Sequence, residues 1–432
     1  MFVRIGNRPR DYAWGSASAI AELLGTRPSG GPEAELWLGA HPGSPSAILD
    51  PSKTGGADDL AQWVARDPRH ALGADAPAGA GGSSARLPFL LKVLAADIPL
   101  SIQAHPSPDQ ALNGFERENE LGVPLTSPDR NYKDPWHKPE LIYALSPTFE
   151  ALCGFRRASE AAAAVVALER IGAQGSEALE DFHRRLVAVE SDPEGLRDVV
   201  AWVLGGDPAV AVLVRALTAV AKAAGDGTDR DAGSDFYARA ADEAGTRRDA
   251  DTIRRAAAAF PGDPGVAMTL LLNRVTLSRG EVLYLPAGNV HAYLEGVGIE
   301  LMAASDNVLR GGLTPKHIDV PELLRVVEFA SHPVPLLQPE RPSRGVEVYR
   351  PDVPDFELTH VALGDGWADA EIALSGPAIA LCTSGSFELR GRTGTQSLSR
   401  GESVFVTPDE RTLSVHGAGT VFVATPNSAG EH

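Results

Sequence analysis

The sequence predicts a mainly β protein with an inserted α-helical domain, its strands forming two jelly-roll β-barrels. Three observations predict this. Short apolar runs bounded by Gly and Pro fill both ends of the chain, an alanine-rich block with helical spacing lies between them, and one pentapeptide occurs twice, 121 residues apart from Leu277 to Leu398. At 432 residues the chain is also longer than a single core supports, so two or three domains are expected.

Residues 1–154 hold apolar runs such as Leu87 to Leu94 and Glu140 to Leu145, each closed by turn residues, which reads as strands and loops. Gly73 to Ser84 reads as a loop. From Ala158 to Phe260 the texture is helical: Leu179, Phe182, Leu186 and Val189 follow one another at three, four and three residues, one stripe of a helix. Asp192-Pro193 and Asp207-Pro208 read as N-cap plus N1, where proline loses no needed donor. Gly225 to Gly233 reads as a solvated loop. Pro261-Gly262-Asp263-Pro264-Gly265 marks the return to strands. The expected domains are therefore 1–154 with 263–325, interrupted by 155–262, and then 326–432.

The repeat joins the two β regions. Leu277-Ser278-Arg279-Gly280-Glu281 recurs as Leu398-Ser399-Arg400-Gly401-Glu402, each copy a turn feeding a strand that ends near proline. At the same offset His291 is answered by Thr412. Short strands expected at Ala378–Thr383, Ser386–Leu389, Ser403–Val406 and Thr420–Ala424 fit a jelly roll.

Composition excludes several function classes. A 43% apolar and 22% charged chain without a long apolar run is not expected to enter a membrane. A net charge of −18 argues against nucleic acid, whose backbone requires a positive field. Cys153 and Cys382 are too few for a disulfide framework and lack the paired spacing of a thiolate zinc site. Met1 to Arg10 lacks the form of a secretory signal, so a cytoplasmic location is expected, with a monomer as the expected state.

The chemistry concentrates in three segments. Gln103 and His105 stand two apart, so in a strand both face one side. Glu140 closes His137-Lys138-Pro139-Glu140, and His291 closes Pro286-Ala287-Gly288-Asn289-Val290-His291. Two imidazoles, a carboxylate and an amide oxygen suit a divalent metal of zinc type with a position left open, and such a site polarises a hydroxyl or carbonyl oxygen. Glutamine is the unusual member of that set. His41, His137 and His317 are expected in supporting roles. Lys92, Lys138, Arg310 and Lys316 flank the motifs and leave room for a small anionic substrate.

These segments belong to a longer series: Tyr12-Ala13-Trp14-Gly15, Glu35-Leu36-Trp37-Leu38-Gly39-Ala40-His41-Pro42, Leu87-Pro88-Phe89-Leu90-Leu91-Lys92, Ser101 to Pro106, Asn131 to Glu140, Leu152-Cys153-Gly154-Phe155-Arg156, Tyr284 to Tyr293, and Ser305 to Lys316. With them the chain resembles the class I mannose-6-phosphate isomerases, zinc-dependent members of the cupin superfamily, over roughly residues 12–320. The resemblance implies cupin-type barrels, the second without metal ligands, and one Zn2+ per chain held by Gln103, His105, Glu140 and His291. It implies interconversion of mannose 6-phosphate and fructose 6-phosphate through an enediol, which needs a base beside the carbon and stabilisation of charge on oxygen. Arg310 falls on the family's active-site arginine, and Lys138, two residues from Glu140, is the expected proton-transfer residue. Ser101, Lys92, Asp306, His137 and Lys316 are the expected contacts to the phosphorylated hexose, with Asp306 and His137 as reserves for acid/base work. The alternatives are a metal-dependent cupin oxygenase, which needs a redox metal, and a non-catalytic sugar-binding bicupin.

Overall fold

The computed structural model describes residues 1–73, 85–172, 176–189, 193–225, 236–364 and 366–427. Apart from Gly73 and Gly225, the expected loops at Gly73–Ser84 and Gly225–Gly233 lie outside the described residues, as does Asp192.

The strands form two sheets. One is built around the long strand His291–Ala303, which bends partway along. Its first residues pair with Gln103–Ala104 and with Thr148–Phe155, whereas Gly296 onward pairs with Phe89–Ala96 on one side and Glu140–Ala144 on the other. Gly296 permits the bend: its φ is 134°, and a Cβ there would lie 2.6 Å from the Phe149 ring. One strand thereby brings His291 and Glu300 into separate strand pairings around a shared interior.

The second sheet comprises residues from Glu340 onward together with Phe2–Gly6 and Ala47–Ile48. Phe2–Gly6 pairs with Ser403–Val406, so the chain's first strand lies in the carboxy-terminal sheet rather than with the rest of residues 1–154. The run expected as two strands, Ala378–Thr383 and Ser386–Leu389, is one strand, Ala378–Arg390. A register shift between Cys382 and Ser384, followed by Gly385 at φ 72°, carries the pairing past the break that the sequence suggested. Val404, Val421, Val423, Leu389 and Leu398 fill the interior of this sheet, and Phe405, Phe422, Ile379 and Leu381 pack toward the first sheet.

Both copies of the pentapeptide make the same turn. Ser278 N–H donates to Glu281 Oε2 at 2.7 Å, and Ser399 N–H to Glu402 Oε2 at 2.9 Å. Gly280 and Gly401 take φ of 92° and 83°, values that only glycine adopts at no cost. Arg279 and Arg400 each send Nε to a backbone carbonyl, of Leu145 and Leu23. The counterparts His291 and Thr412 each open the long strand that follows, His291–Ala303 and Thr412–Thr425.

Helices Ala158–Gly172, Glu177–Ala188, Pro193–Leu204, Pro208–Gly225 and Phe236–Ala259 run between strands Thr148–Phe155 and Leu272–Ser278, which pair with each other. The stripe Leu179, Phe182, Leu186 is buried as its spacing requires, and Asp207 caps the helix that begins at Pro208 by accepting Ala209 N–H at 2.9 Å. Arg274 on the returning strand reaches Asp251 at 3.1 Å and Glu150 at 3.1 Å, and Arg156 reaches Asp249 at 3.2 Å, so charge pairs join the helices to the sheet. Among the described residues no single helix is long and apolar enough to cross a membrane.

Candidate functional site

Strands Gln103–Ala104, Glu140–Ala144 and His291–Ala303 carry three of the expected metal ligands, and His105 directly follows the first of them. Gln103 is registered opposite His291 on one neighbour and Arg310 on the other, so the three project from one face. Glu140 opens the strand that pairs with the far half of His291–Ala303 and returns its carboxylate to the imidazoles. His105 Nε2 lies 3.4 Å from Glu140 Oε1 and His291 Nε2 lies 3.4 Å from Oε2.

The other ring nitrogens fix the orientation. His105 Nδ1 is 2.8 Å from the Asn307 carbonyl oxygen, and His291 Nδ1 is 3.1 Å from that of Asn289. Those acceptors require Nδ1 to carry the proton, which leaves both Nε2 lone pairs aimed at one point, the arrangement in which histidine serves a metal. Gln103 donates its amide N–H to Ser101 Oγ at 3.1 Å, so that its Oε1 is the atom available as an acceptor. Burial, with Lys138 adding to it, lowers the His105 imidazole to about 4, so the ring is neutral, as ligation requires. Burial works against the Glu140 charge, yet the Lys138 ammonium beside it holds that carboxyl well below the usual carboxylate range. The buried His105 Nε2 has no hydrogen-bond partner among the described residues. An orphaned buried nitrogen beside a carboxylate and a second imidazole fits a zinc-type ion.

Beside this group lies a pocket of about 60 Å³, bordered by Gln103, Lys138, Glu140 and His291 and by Glu35, Lys92, Tyr293 and Glu300. Lys92 is registered with Glu300 and Trp37 on its two neighbours. Its Nζ reaches Glu300 Oε2 at 2.9 Å and Glu35 Oε1 at 3.2 Å, and lies 5.0 Å from the Trp37 ring centroid. Burial opposes the Lys92 charge, but the carboxylates of Glu300 and Glu35 raise it well above the ordinary lysine value. The buried Tyr293 hydroxyl has no hydrogen-bond partner among the described residues. Lys138 Nζ meets Glu140 Oε1 at 2.7 Å.

The remaining expected residues divide. Asp306 Oδ1 is 3.3 Å from His41 Nε2; burial works against its charge, while His41, Lys138 and Lys92 lower its carboxyl below the usual value. Gly43 N–H donates to His41 Nδ1 at 3.1 Å, which puts the ring proton on Nε2, toward Asp306. Arg310 is partly buried, and burial alone lowers it; no carboxylate among the described residues forms an ion pair with it. Lys316 is lowered by burial and by its proximity to Arg310, so two cations gather there. Ser101 lines the pocket and holds Gln103. His137 is turned to Asp355 at 2.7 Å, across to the carboxy-terminal part of the chain.

Sequence reading missed Glu35, Glu300, Tyr293 and Asn307. The first three lie within strands, where alternation marks a face but not a charge partner. Asn307 had no signal beyond its place in the Ser305–Lys316 motif. It is fully buried, its carbonyl receives His105, and its side chain is held by Lys133 N–H at 2.7 Å and by the carbonyls of Asp134 and Trp136, both at 2.7 Å.

The chain is similar to known proteins along most of its length. Residues 2–158 match the type I phosphomannose isomerase catalytic domain. Mannose-6-phosphate isomerase of Escherichia coli is 38% identical over 96% of both chains, and that of Homo sapiens 31% over 93% of this chain and 92% of its own. A mannose 6-phosphate isomerase with zinc and yttrium bound shares 35% identity and a TM-score of 0.79 over 99% of each chain. A variant of phosphomannose isomerase from Salmonella typhimurium has a TM-score of 0.80 at 34% identity over 99% of each chain.

Proposed function

The chain belongs to the type I phosphomannose isomerase family, and from that membership we propose that it interconverts mannose 6-phosphate and fructose 6-phosphate with one zinc ion bound per chain. The observation that carries this reading is the pair of imidazole Nε2 atoms turned onto one buried carboxylate, each at 3.4 Å. Gln103, His105, Glu140 and His291 hold the ion in this reading. When bound, zinc polarises the sugar oxygens near C1 and C2.

The chain's own residues supply the rest. A base takes the proton from C2 of the open aldose while O1 gains a proton, giving an enediol; the base then returns its proton to C1 as O2–H gives up its proton, leaving the C2 carbonyl of the ketose. Lys138, beside the ligand end of the pocket, moves that proton. Asp306, backed by His41, serves ring opening, with His137 on the Lys138 segment as its reserve. Arg310 and Lys316, two cations without a carboxylate between them, meet the negative charge of enediolate or phosphate. Lys92 and Ser101 touch the sugar's hydroxyls at the pocket wall.

We also propose the finer architecture: a catalytic cupin barrel from 1–154 with 263–325, a helical insertion at 155–262, and a second cupin-type barrel at 326–432 without metal ligands. The shared turn of the two pentapeptides supports it, with Phe2–Gly6 exchanged into the second barrel.

The test is fructose 6-phosphate formation from mannose 6-phosphate, measured before and after chelation. Turnover is expected to vanish with the metal and return on adding zinc. Undiminished turnover by protein stripped of all metal would refute the reading.

A further inference from the structure

The loop after Arg310 takes a conformation its residues do not favour. Leu313 has a φ of 52° with its side chain fully buried, in a region that a β-carbon penalises. Gly312 before it has a φ of 116°. The loop is pinned on two sides. On one, Gly311 N–H donates to the Ile102 carbonyl at 2.8 Å and Ile102 N–H to the Gly312 carbonyl at 3.0 Å, extending the pairing of Arg310 with Gln103. On the other, Asp263 Oδ1 accepts Leu313 N–H at 2.9 Å and Gly265 N–H at 2.7 Å, while Oδ2 accepts Thr314 N–H at 3.1 Å. The backbones touch: a Cβ on Gly265 would lie 2.4 Å from Leu313 N, and one on Gly312 would lie 2.4 Å from Gly265 Cα.

Three N–H groups converging on one carboxylate do more than close a turn. They hold the strained residue three positions after Arg310 and immediately before Thr314-Pro315, the approach to Lys316. Asp263 itself stands where the chain leaves the helices and re-enters the first sheet, so this clasp ties the end of the helical run to the segment that carries Arg310 and Lys316.

We propose that Asp263 is a positioning residue, holding the Gly311–Thr314 loop so that Arg310 stays in register with Gln103 and faces the substrate's anion. It touches no substrate. The inference rests on the reading of Arg310 as the group that meets that anion.

A double-mutant cycle tests it, with turnover of mannose 6-phosphate by the zinc-loaded full chain as the readout. Asp263→Ala is expected to lower kcat/KM by on the order of 100-fold, the cost of a roughly 1 Å misplacement. Zinc affinity, measured by competition with a chromogenic chelator, is expected to stay unchanged. Asp263→Asn keeps one acceptor oxygen and should lose less, and it carries the test if the alanine variant fails to fold. In an Arg310→Lys background, either Asp263 change should cost less than about threefold, because coupled residues are not additive. An equal loss in both backgrounds, or a fall in zinc affinity matching the fall in turnover, overturns the clasp. Wild-type kcat/KM in Arg310→Lys alone would instead overturn the reading of Arg310.

Discussion

The Lys138 ammonium lies 2.7 Å from Oε1 of Glu140, the same oxygen that stands 3.4 Å from His105 Nε2. A cation in that place repels a metal ion bound by the same carboxylate. Its charge there costs metal affinity, and the proposed part in proton transfer accounts for a lysine at that place. Lys138→Met should lower kcat by about 10²–10⁴-fold, the usual worth of a proton-transfer group. The same change should tighten zinc binding by about tenfold, or roughly 1.4 kcal/mol, as the repulsion is removed. Weaker zinc binding in this variant would show that Lys138 supports the ligand set instead.

Removing a ligand acts in the other direction. Glu140→Gln leaves two neutral imidazoles and two amides, with no negative charge for a dication in a buried site. Zinc affinity should fall by more than about 100-fold, beyond the 10–100-fold typical of losing only an outer partner. His291→Ala should behave alike. Elemental analysis after dialysis checks both, and full stoichiometry in either variant would remove that residue from the ligands.

Much of this was legible before any coordinates. Gln103, His105, Glu140 and His291 carry the signal because ligand chemistry restricts residue type; the same-strand spacing expected of Gln103 and His105 is not what joins them, since that strand ends at Ala104 and His105 follows it. The helical run declared itself through the stripe at Leu179, Phe182 and Leu186, and the Ser403–Val406 strand through its apolar run and turns. Legibility ended where partners are distant in sequence. Nothing in Phe2–Gly6 says that its hydrogen bonds go to Ser403–Val406, nearly the whole chain away. Nothing in Lys92 says that its ammonium reaches Glu35 and Glu300. Strand patterns specify a face; the neighbour on that face is set by topology.

Asn307 illustrates the same limit and yields a prediction. Its backbone carbonyl receives His105 Nδ1–H, and its side chain bridges Lys133, Asp134 and Trp136, the segment that leads to Lys138 and Glu140. Asn307→Ala leaves the carbonyl in place but frees the loop that aims it. Zinc affinity should fall about 10–100-fold, which chelator competition measures. An unchanged affinity would mean that backbone packing alone orients His105.

Lys92 tests stability more than chemistry. Its ammonium is the shared partner of two buried carboxylates, at 2.9 and 3.2 Å. Lys92→Met fits the volume but strands both charges, an outcome that costs about 3–5 kcal/mol in a buried pair. Denaturant unfolding should show that loss at neutral pH. Replacing Glu35 and Glu300 by Gln in the same chain should recover most of it, and no recovery would indicate that lost packing, not unpaired charge, is responsible.

The join between helices and sheet should respond to acid. Burial works against the charge of Asp251, but Arg274 and Arg255, at 3.1 and 2.9 Å, hold its carboxyl below the usual value. A depressed folded-state value means that the stabilisation is present above the unfolded value of about 3.9 and is lost as pH falls through the folded one. Asp251→Asn should therefore be less stable than wild type across pH 5–8. Solvent reaches these side chains, which keeps the expected difference to about 1 kcal/mol. As pH falls below about 4 the two proteins should begin to converge, and they should meet once pH passes below the depressed folded-state value of Asp251, where wild type has lost the same charge by protonation. Thermal unfolding across this range measures the gap. A difference that persists undiminished at pH 3 would assign Asp251 a role in packing or hydrogen bonding that does not depend on its charge.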